Sequence, residues 1–291
     1  MIIWLASYPK SGNTWLRTIV HQLLFAKNTK ENKVFEGLDL ITSYPQIKHF
    51  ENISKKITDS ELKDHEEVIK NWTISQDAIN LDKKIKFFKT HNFACKKYNE
   101  SDKKNYSFTD LNNSLGVMYI VRDPRNVITS LKHHFHLEDY DKAFKMMENE
   151  KWWLGVDELN PIPQALSSWD NHFESWNRFP KNFLLIKYED LLTNTKDEIK
   201  KIIQYLNKFF DIKENNELIN TIIKNTSFAN LKKQEEEQGF SESVLNKKKD
   251  KKKKFFNLGP KNKWINYLDE EMINKIEKRF GPTMKKLGYL I

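Results

Sequence analysis

Three short polar clusters, each placed directly after an apolar run, hold side chains suited to gripping an anion and moving a proton. The first, Tyr8-Pro9-Lys10-Ser11-Gly12-Asn13-Thr14-Trp15, follows Ile2-Ile3-Trp4-Leu5-Ala6. Gly12 lets a backbone come close to a ligand, successive N–H groups and a helix N-terminus supply positive potential, and Lys10 adds a full charge. The second, Lys89-Thr90-His91, ends the run from Ile85 to Phe88. Its imidazole titrates near neutrality and suits proton transfer, although a lone histidine there serves equally well as a strand-end cap. The third, Arg122-Asp123-Pro124-Arg125, closes Gly116 to Val121. The Arg122 fork matches a dianion through paired hydrogen bonds, with an ion pair to Asp123 as the plainer reading. Lys10 stands two residues before Gly12, so the first cluster is not the G-x-x-x-x-G-K-[ST] loop that cradles ATP phosphates.

The elements that position these clusters alternate between short apolar strands and amphipathic helices. A strand over residues 2–6 breaks at Pro9 and feeds a helix beginning near Thr14, with Leu16, Ile19, Val20, Leu23 and Leu24 on one face. Residues 27–84 read as polar cover with a helix from Asp59 or Ser60 through Lys70, and residues 96–113 read as loop. Pro124 opens a helix whose buried stripe is Val127, Ile128, Leu131 and Phe135. Further helices are predicted over 163–177, 196–210, 217–224 and 269–287, and a strand over 183–187 that ends in Tyr188-Glu189-Asp190. This alternation predicts an α/β fold: one domain over residues 1–291 with a central, mostly parallel sheet covered on both faces. Ligands bind such sheets off the carboxyl ends of the strands, where all three clusters fall.

With 291 residues and 38% hydrophobic content, the chain can bury a sizeable core. No apolar run reaches the ~18 residues of a membrane span, and the segment 2–6 is too short for a signal peptide, so a cytoplasmic protein is expected. A single cysteine, Cys95, rules out a disulfide framework and a cysteine-based zinc site. The net charge of +9 points to an anionic partner. The lysine run 247–254 reads first as a solvated loop and second as an electrostatic funnel. His133, His134 and His136 do not make a metal site, because adjacent histidines on a helix face apart and no carboxylate accompanies them; a place at a pocket rim fits them better.

Together the ordered clusters resemble the sulfotransferases that use 3′-phosphoadenosine-5′-phosphosulfate (PAPS), over residues 2 to about 265. The segment 7–15 is similar to their phosphosulfate loop T-Y-P-K-S-G-T-T-W, with Ser7 and Asn13 as departures. Lys89-Thr90-His91 resembles the K-T-H element of the cytosolic members, which implies His91 as general base. Residues 119–130 resemble the 3′-phosphate motif, which implies Arg122 and Ser130 as its ligands. Tyr188-Glu189-Asp190 and Thr226-Ser227-Phe228 are similar to segments that contact adenosine, and Trp15 and Phe228 would flank the adenine.

The resemblance implies in-line attack by an acceptor oxygen, with its proton passing to His91 and with Lys10, Lys89 and the loop N–H groups neutralising the leaving oxygen. It implies PAPS as co-substrate, no metal, and binding by Lys10, Ser11, Gly12, Asn13, Thr14, Trp15, Arg122, Ser130, Tyr188, Thr226, Phe228 and Gly259. The Asn13 amide is expected to donate to the phosphate. The family's late R-K-G element is altered here to Phe255-Phe256-Asn257-Leu258-Gly259-Pro260-Lys261-Asn262-Lys263-Trp264, leaving Lys254, Lys261 or Lys263 to restore charge. The acceptor, a small molecule or a carbohydrate, should be chosen by residues 41–60, 92–99, 133–166 and 234–256, with Trp152 and Trp153 available to stack on a ring. The competing readings are a nucleotide or small-molecule kinase, which would need a Walker loop and a magnesium-binding acid, and a basic nucleic-acid-binding module, for which no motif is present.

Overall fold

A computed structural model describes residues 1–25, 34–53, 56–94, 96–155, 162–240, 242, 245–246, 251–252 and 254–291. Its strands, in chain order, are β1 (Ile2–Ala6), β2 (Thr42–Ser43), β3 (Lys86–Thr90), β4 (Lys96–Asn99), β5 (Lys104–Ser107), β6 (Ser114–Val121), β7 (Trp153–Leu154), β8 (Gln164–Ala165), β9 (Phe183–Lys187), β10 (Leu245–Asn246) and β11 (Lys251–Lys252). The helices are α1 (Asn13–Leu24), α2 (His65–Asn80), α3 (Pro124–His134), α4 (Tyr140–Glu148), α5 (Trp169–Asn177), α6 (Tyr188–Thr193), α7 (Thr195–Leu206), α8 (Asn216–Asn225), α9 (Phe228–Gln238) and α10 (Glu270–Lys286).

The central sheet has the order β2-β3-β1-β6-β9 with every pairing parallel. A strand in the middle of such a sheet is covered on both faces, which is why β1 is apolar at every position and fully buried. Ile2, Trp4 and Ala6 pack toward α2, α3, α5 and α10, while Ile3 and Leu5 pack toward α1, α7 and α8. Trp4 centres the first of these cores. Its indole N–H donates to Ser114 Oγ at 2.7 Å, and its ring lies 5.3 Å from Tyr44 and 5.2 Å from Phe108. After β1 the chain lays down β2 and β3 on one side and then β6 and β9 on the other, so the sheet's order reverses at β1. The three polar clusters and Tyr188 all follow carboxyl ends on this edge.

Several elements differ from the sequence expectation, each for a local reason. The helix expected from residue 59 or 60 starts at His65, because the Asp64 side chain accepts from the N–H groups of Glu66 and Glu67; residues 61–63 form only a 3-10 turn. It then runs on to Asn80, ten residues past its expected end at Lys70. Residues 96–113, expected as loop, contain the antiparallel pair β4–β5. The helix expected from residue 163 begins at Trp169, since Gln164–Ala165 pair with β7. Helices α4, α6 and α9 were not expected. Cys95 and most of the lysine run, residues 247–250 and 253, lie outside the described residues. Among the described residues no helix is long and apolar enough to cross a membrane.

Candidate active site

The turn after β1 carries two backbone conformations unusual for its residues. Lys10 has φ 66°, and Gly12, the N-cap of α1, has φ 103° with no side-chain cap. A Cβ on Gly12 would meet Tyr188 Cδ2 at 2.7 Å, so glycine answers both the dihedral and the close packing. The first N–H groups of α1, at Asn13 and Thr14, have no intrahelical partner and supply the positive end of the helix dipole. The Lys10 ammonium lies 4.5 Å over the Phe255 ring. The Asn13 side chain departs from expectation. Its amide donates to Leu5 O at 2.9 Å and Ser7 Oγ at 3.1 Å, which uses both hydrogens and leaves only the backbone N–H for an anion.

That engagement ties the turn to His91. The ring Nδ1 lies 2.8 Å from Ser7 O, which can only accept, so the proton sits on Nδ1 and Nε2 is the basic nitrogen. Ser7 Oγ is 3.3 Å from the same Nδ1. The backbone around His91 is held as well. Its N–H donates to Gln164 Oε1 at 3.1 Å, and its carbonyl accepts from His172 Nε2 at 3.0 Å, while Tyr119 O–H donates to His172 Nδ1 at 2.8 Å. Burial, and then the nearby Lys89 charge, bring the His91 pKa down to about 3, so the ring is neutral near pH 7.

At the end of β6, Arg122 bonds Ser130 Oγ at 3.3 Å and Lys10 O at 3.4 Å, and its guanidinium lies 4.1 Å over the Tyr188 ring. Arg122 and Ser130, both expected to hold one phosphate, thus stand within hydrogen-bond reach of each other. Asp123 does not take Arg122: it caps α3 and binds Arg125 instead. Arg122 Nε is buried without a hydrogen-bond partner among the described residues. Ser130 Oγ also accepts from Asn262 Nδ2 at 2.9 Å, and Asn262 Oδ1 accepts from Thr129 Oγ1 at 2.8 Å.

These groups face one cavity of about 1000 Å³, lined by Lys10, Gly12, Asn13, Thr14, Trp15, Lys89, His91, Arg122, Ser130, Tyr188, Thr226, Phe228 and Gly259. Of the residues expected at the site, Ser11 alone does not line it; its hydroxyl is buried without a partner among the described residues. Thr226 Oγ1 donates to Ile222 O at 2.8 Å and so offers a ligand only an acceptor. A Cβ on Gly259 would meet the Phe228 ring at 2.3 Å, which explains a glycine there. Lys261 and Lys263 are exposed and do not line the cavity, and Lys254 pairs with Glu236 at 2.6 Å. The residue of that segment beside Ser130 is Asn262, which sequence reasoning passed over because it weighed charge alone.

Elsewhere the cavity wall draws on Thr42, Ser43, Gln46, His133, His134, Phe135, Leu154 and Phe240, within three of the four expected segments; none of the described residues of 92–99 takes part. Phe35, Glu36, Leu38 and Asp39 join it without having been expected. Trp152 and Trp153 do not line it. Trp153 instead stacks on His65 at 4.2 Å, and Trp152 packs against Tyr8. Among the described residues no group of three or more His, Cys, Asp or Glu is arranged to hold a metal. Sequence reasoning also missed Glu242, whose carboxylate pairs with both Lys89 and Arg17 on the cavity wall. Separations of 153 and 225 residues leave no local spacing to signal these pairs.

Comparison with known proteins gives the family and the fold. The chain is 24% identical to flavonol 4′-sulfotransferase of Flaveria chlorifolia, over 99% of this chain and 81% of that protein. It is 26% identical to cytosolic sulfotransferase 5 of Arabidopsis thaliana, over 98% of this chain and 80% of the relative. Its fold matches retinol dehydratase solved with androsterone and the inactive cofactor PAP, with a TM-score of 0.60 at 18% identity, over 98% of this chain and 80% of that one. The sulfotransferase domain model matches residues 2–288, and the chain belongs to that family.

Proposed function

We propose that this protein moves a sulfuryl group from PAPS to the hydroxyl of a small apolar alcohol or phenol, with His91 as general base. The observation that carries the reading is the placement of His91: neutral, with Nδ1 pinned to Ser7 O, and lining the same cavity as the open α1 N-terminus and the Arg122–Ser130 pair. The donor's anionic groups suit the unpartnered groups there, namely the first N–H groups of α1 and Arg122 Nε.

When bound, PAPS supplies a sulfuryl group activated by its phosphate leaving group. Lys10 and the N–H groups of Gly12, Asn13 and Thr14 hold the 5′ side, and Arg122 and Ser130 hold the 3′-phosphate. Trp15, Tyr188, Thr226, Phe228 and Gly259 enclose the adenosine. His91 takes the acceptor's proton on Nε2, a contribution of about 10²–10⁴ in rate. Lys10 and Lys89 stabilise charge developing on the leaving oxygen, commonly the largest catalytic contribution. Phe135 and Leu154 on the cavity wall favour an apolar ring over a sugar as acceptor. The flavonol and androsterone in the names of related proteins are ligands of that kind. The cytosolic naming of a relative supports a cytoplasmic location.

The test is incubation with labelled PAPS against phenols, alcohols, amines and oligosaccharides, together with thermal shifts in PAP, ATP-magnesium and a random oligonucleotide. Label on phenols or alcohols and stabilisation by PAP alone are expected. No label on any acceptor, together with no shift in PAP, refutes the reading; a shift in ATP-magnesium alone returns the kinase.

A further inference from the structure

Lys89 and Arg17 bring two buried cations to one stretch of the cavity wall, from β3 and from α1. Their side chains are 13% and 6% exposed. Between them stands Glu242: Oε2 lies 3.1 Å from Lys89 Nζ, and Oε1 accepts from Arg17 Nη1. Two like charges this far from water repel each other and lose hydration, and a carboxylate shared between them offsets both costs. Arg17 also donates to Leu38 O at 3.4 Å, which holds the guanidinium in place as the anchor of the trio.

We propose that Glu242 is a positioning residue for Lys89: anchored by Arg17, its carboxylate fixes the Lys89 ammonium on the cavity wall beside His91 and keeps it charged there. An ammonium has three donors and Glu242 takes one, so the contact leaves others for a ligand's oxygen. Glu242 therefore does not have to leave when the cavity fills. Among the described residues, the charged and titratable groups facing Lys89 are Glu242, Arg17 and His91. Its sheet neighbours β1 and β2 carry none. Burial, the larger effect, and Arg17 both push the Lys89 pKa down, and Glu242 opposes them. Burial likewise opposes the Glu242 charge, yet Lys89 and Arg17 hold its carboxyl below the usual range.

For turnover, the inference rests on the sulfuryl-transfer reading; for the charge of Lys89, it does not. The experiment uses Glu242→Gln, which keeps shape but removes charge, with Lys89 followed by competitive acetylation and mass spectrometry across pH. The acetylation midpoint of Lys89 should fall by about one to three pH units, the shift that an opposite charge at this range produces. The alkaline limb of kcat should fall with it, while PAP affinity changes by less than about threefold. Glu242→Asp, which keeps the charge, should recover about half of the shift or more. An acetylation midpoint unchanged in a folded Glu242→Gln protein overturns the proposal, and Glu242→Ala carries the same measurement if the glutamine variant does not fold. Lys89→Met separates the two readings: wild-type turnover there removes Lys89 from the reaction, whereas lost turnover beside an unchanged Glu242→Gln midpoint removes only Glu242.

Discussion

Replacing Arg122 tests the cavity's most specific assignment, the hold on a 3′-phosphate. The guanidinium is fixed by the Tyr188 ring at 4.1 Å, Ser130 Oγ at 3.3 Å and Lys10 O at 3.4 Å, and its Nε points at no protein acceptor among the described residues. Two charge-assisted bonds to a phosphate, at about 1.5–3 kcal/mol each, make Arg122→Ala cost roughly 3–6 kcal/mol of PAP binding, a loss of about 10²–10⁴ in affinity. Arg122→Lys keeps the charge but not the fork, and should recover only part of that loss. The assay is titration calorimetry with PAP and, in parallel, with adenosine 5′-phosphate, which has no 3′-phosphate. Both variants should bind adenosine 5′-phosphate almost as wild type does. Removing the cation over Tyr188 also costs the fold about 0.5–2 kcal/mol, so melting curves must accompany the titrations. PAP affinity within about threefold of wild type, or equal losses for the two nucleotides, would refute the assignment.

Four further outcomes follow from the same geometry. His91→Ala should lose about 10²–10⁴ in kcat while still binding PAP. Because the base acts when neutral and its pKa is near 3, wild-type activity should fall only as pH drops well below the ordinary histidine value of 6.5; an acid limb at 6.5 argues against His91. For stability, burial lowers His49, His91 and His172 to about 3 each, so between 6.5 and 3 the unfolded chain binds protons that the folded chain does not. Their contribution is constant above 6.5 and is lost as pH falls through that window, at up to about 1.4 kcal/mol per unit for each group; denaturant midpoints level from pH 7 to pH 4.5 contradict this. Asn262→Ala should weaken PAP binding measurably, whereas Lys261→Ala and Lys263→Ala should leave it within about twofold; the reverse pattern in calorimetry returns the lysines to the site.

Much of the fold can be read along the chain because its signals are local. The apolar stretches at 2–6, 116–121 and 183–187 are strands of a doubly covered sheet, and burial on both faces shows in sequence as unbroken hydrophobicity. Helix ends were harder, since a cap depends on which side chain reaches the first N–H groups. Asp64 does so where Asp59 and Ser60 do not. The pair β4–β5 carries lysine, asparagine and tyrosine with little apolar periodicity, which hid it.

By itself the sequence determined the chemical types: a glycine-bent turn with Lys10, a strand-end His91, and an Arg122 eight residues before Ser130. Each is legible because strand, turn and helix start follow one another within a dozen residues. Tertiary structure alone decided what those groups touch. It gave the Asn13 amide to Leu5 and Ser7, set Asn262 beside Ser130 from 132 residues away, and brought Glu242 to Lys89 and Arg17. Those contacts depend on how parallel strands and their crossover helices bring distant segments to one sheet edge, and no local periodicity encodes them.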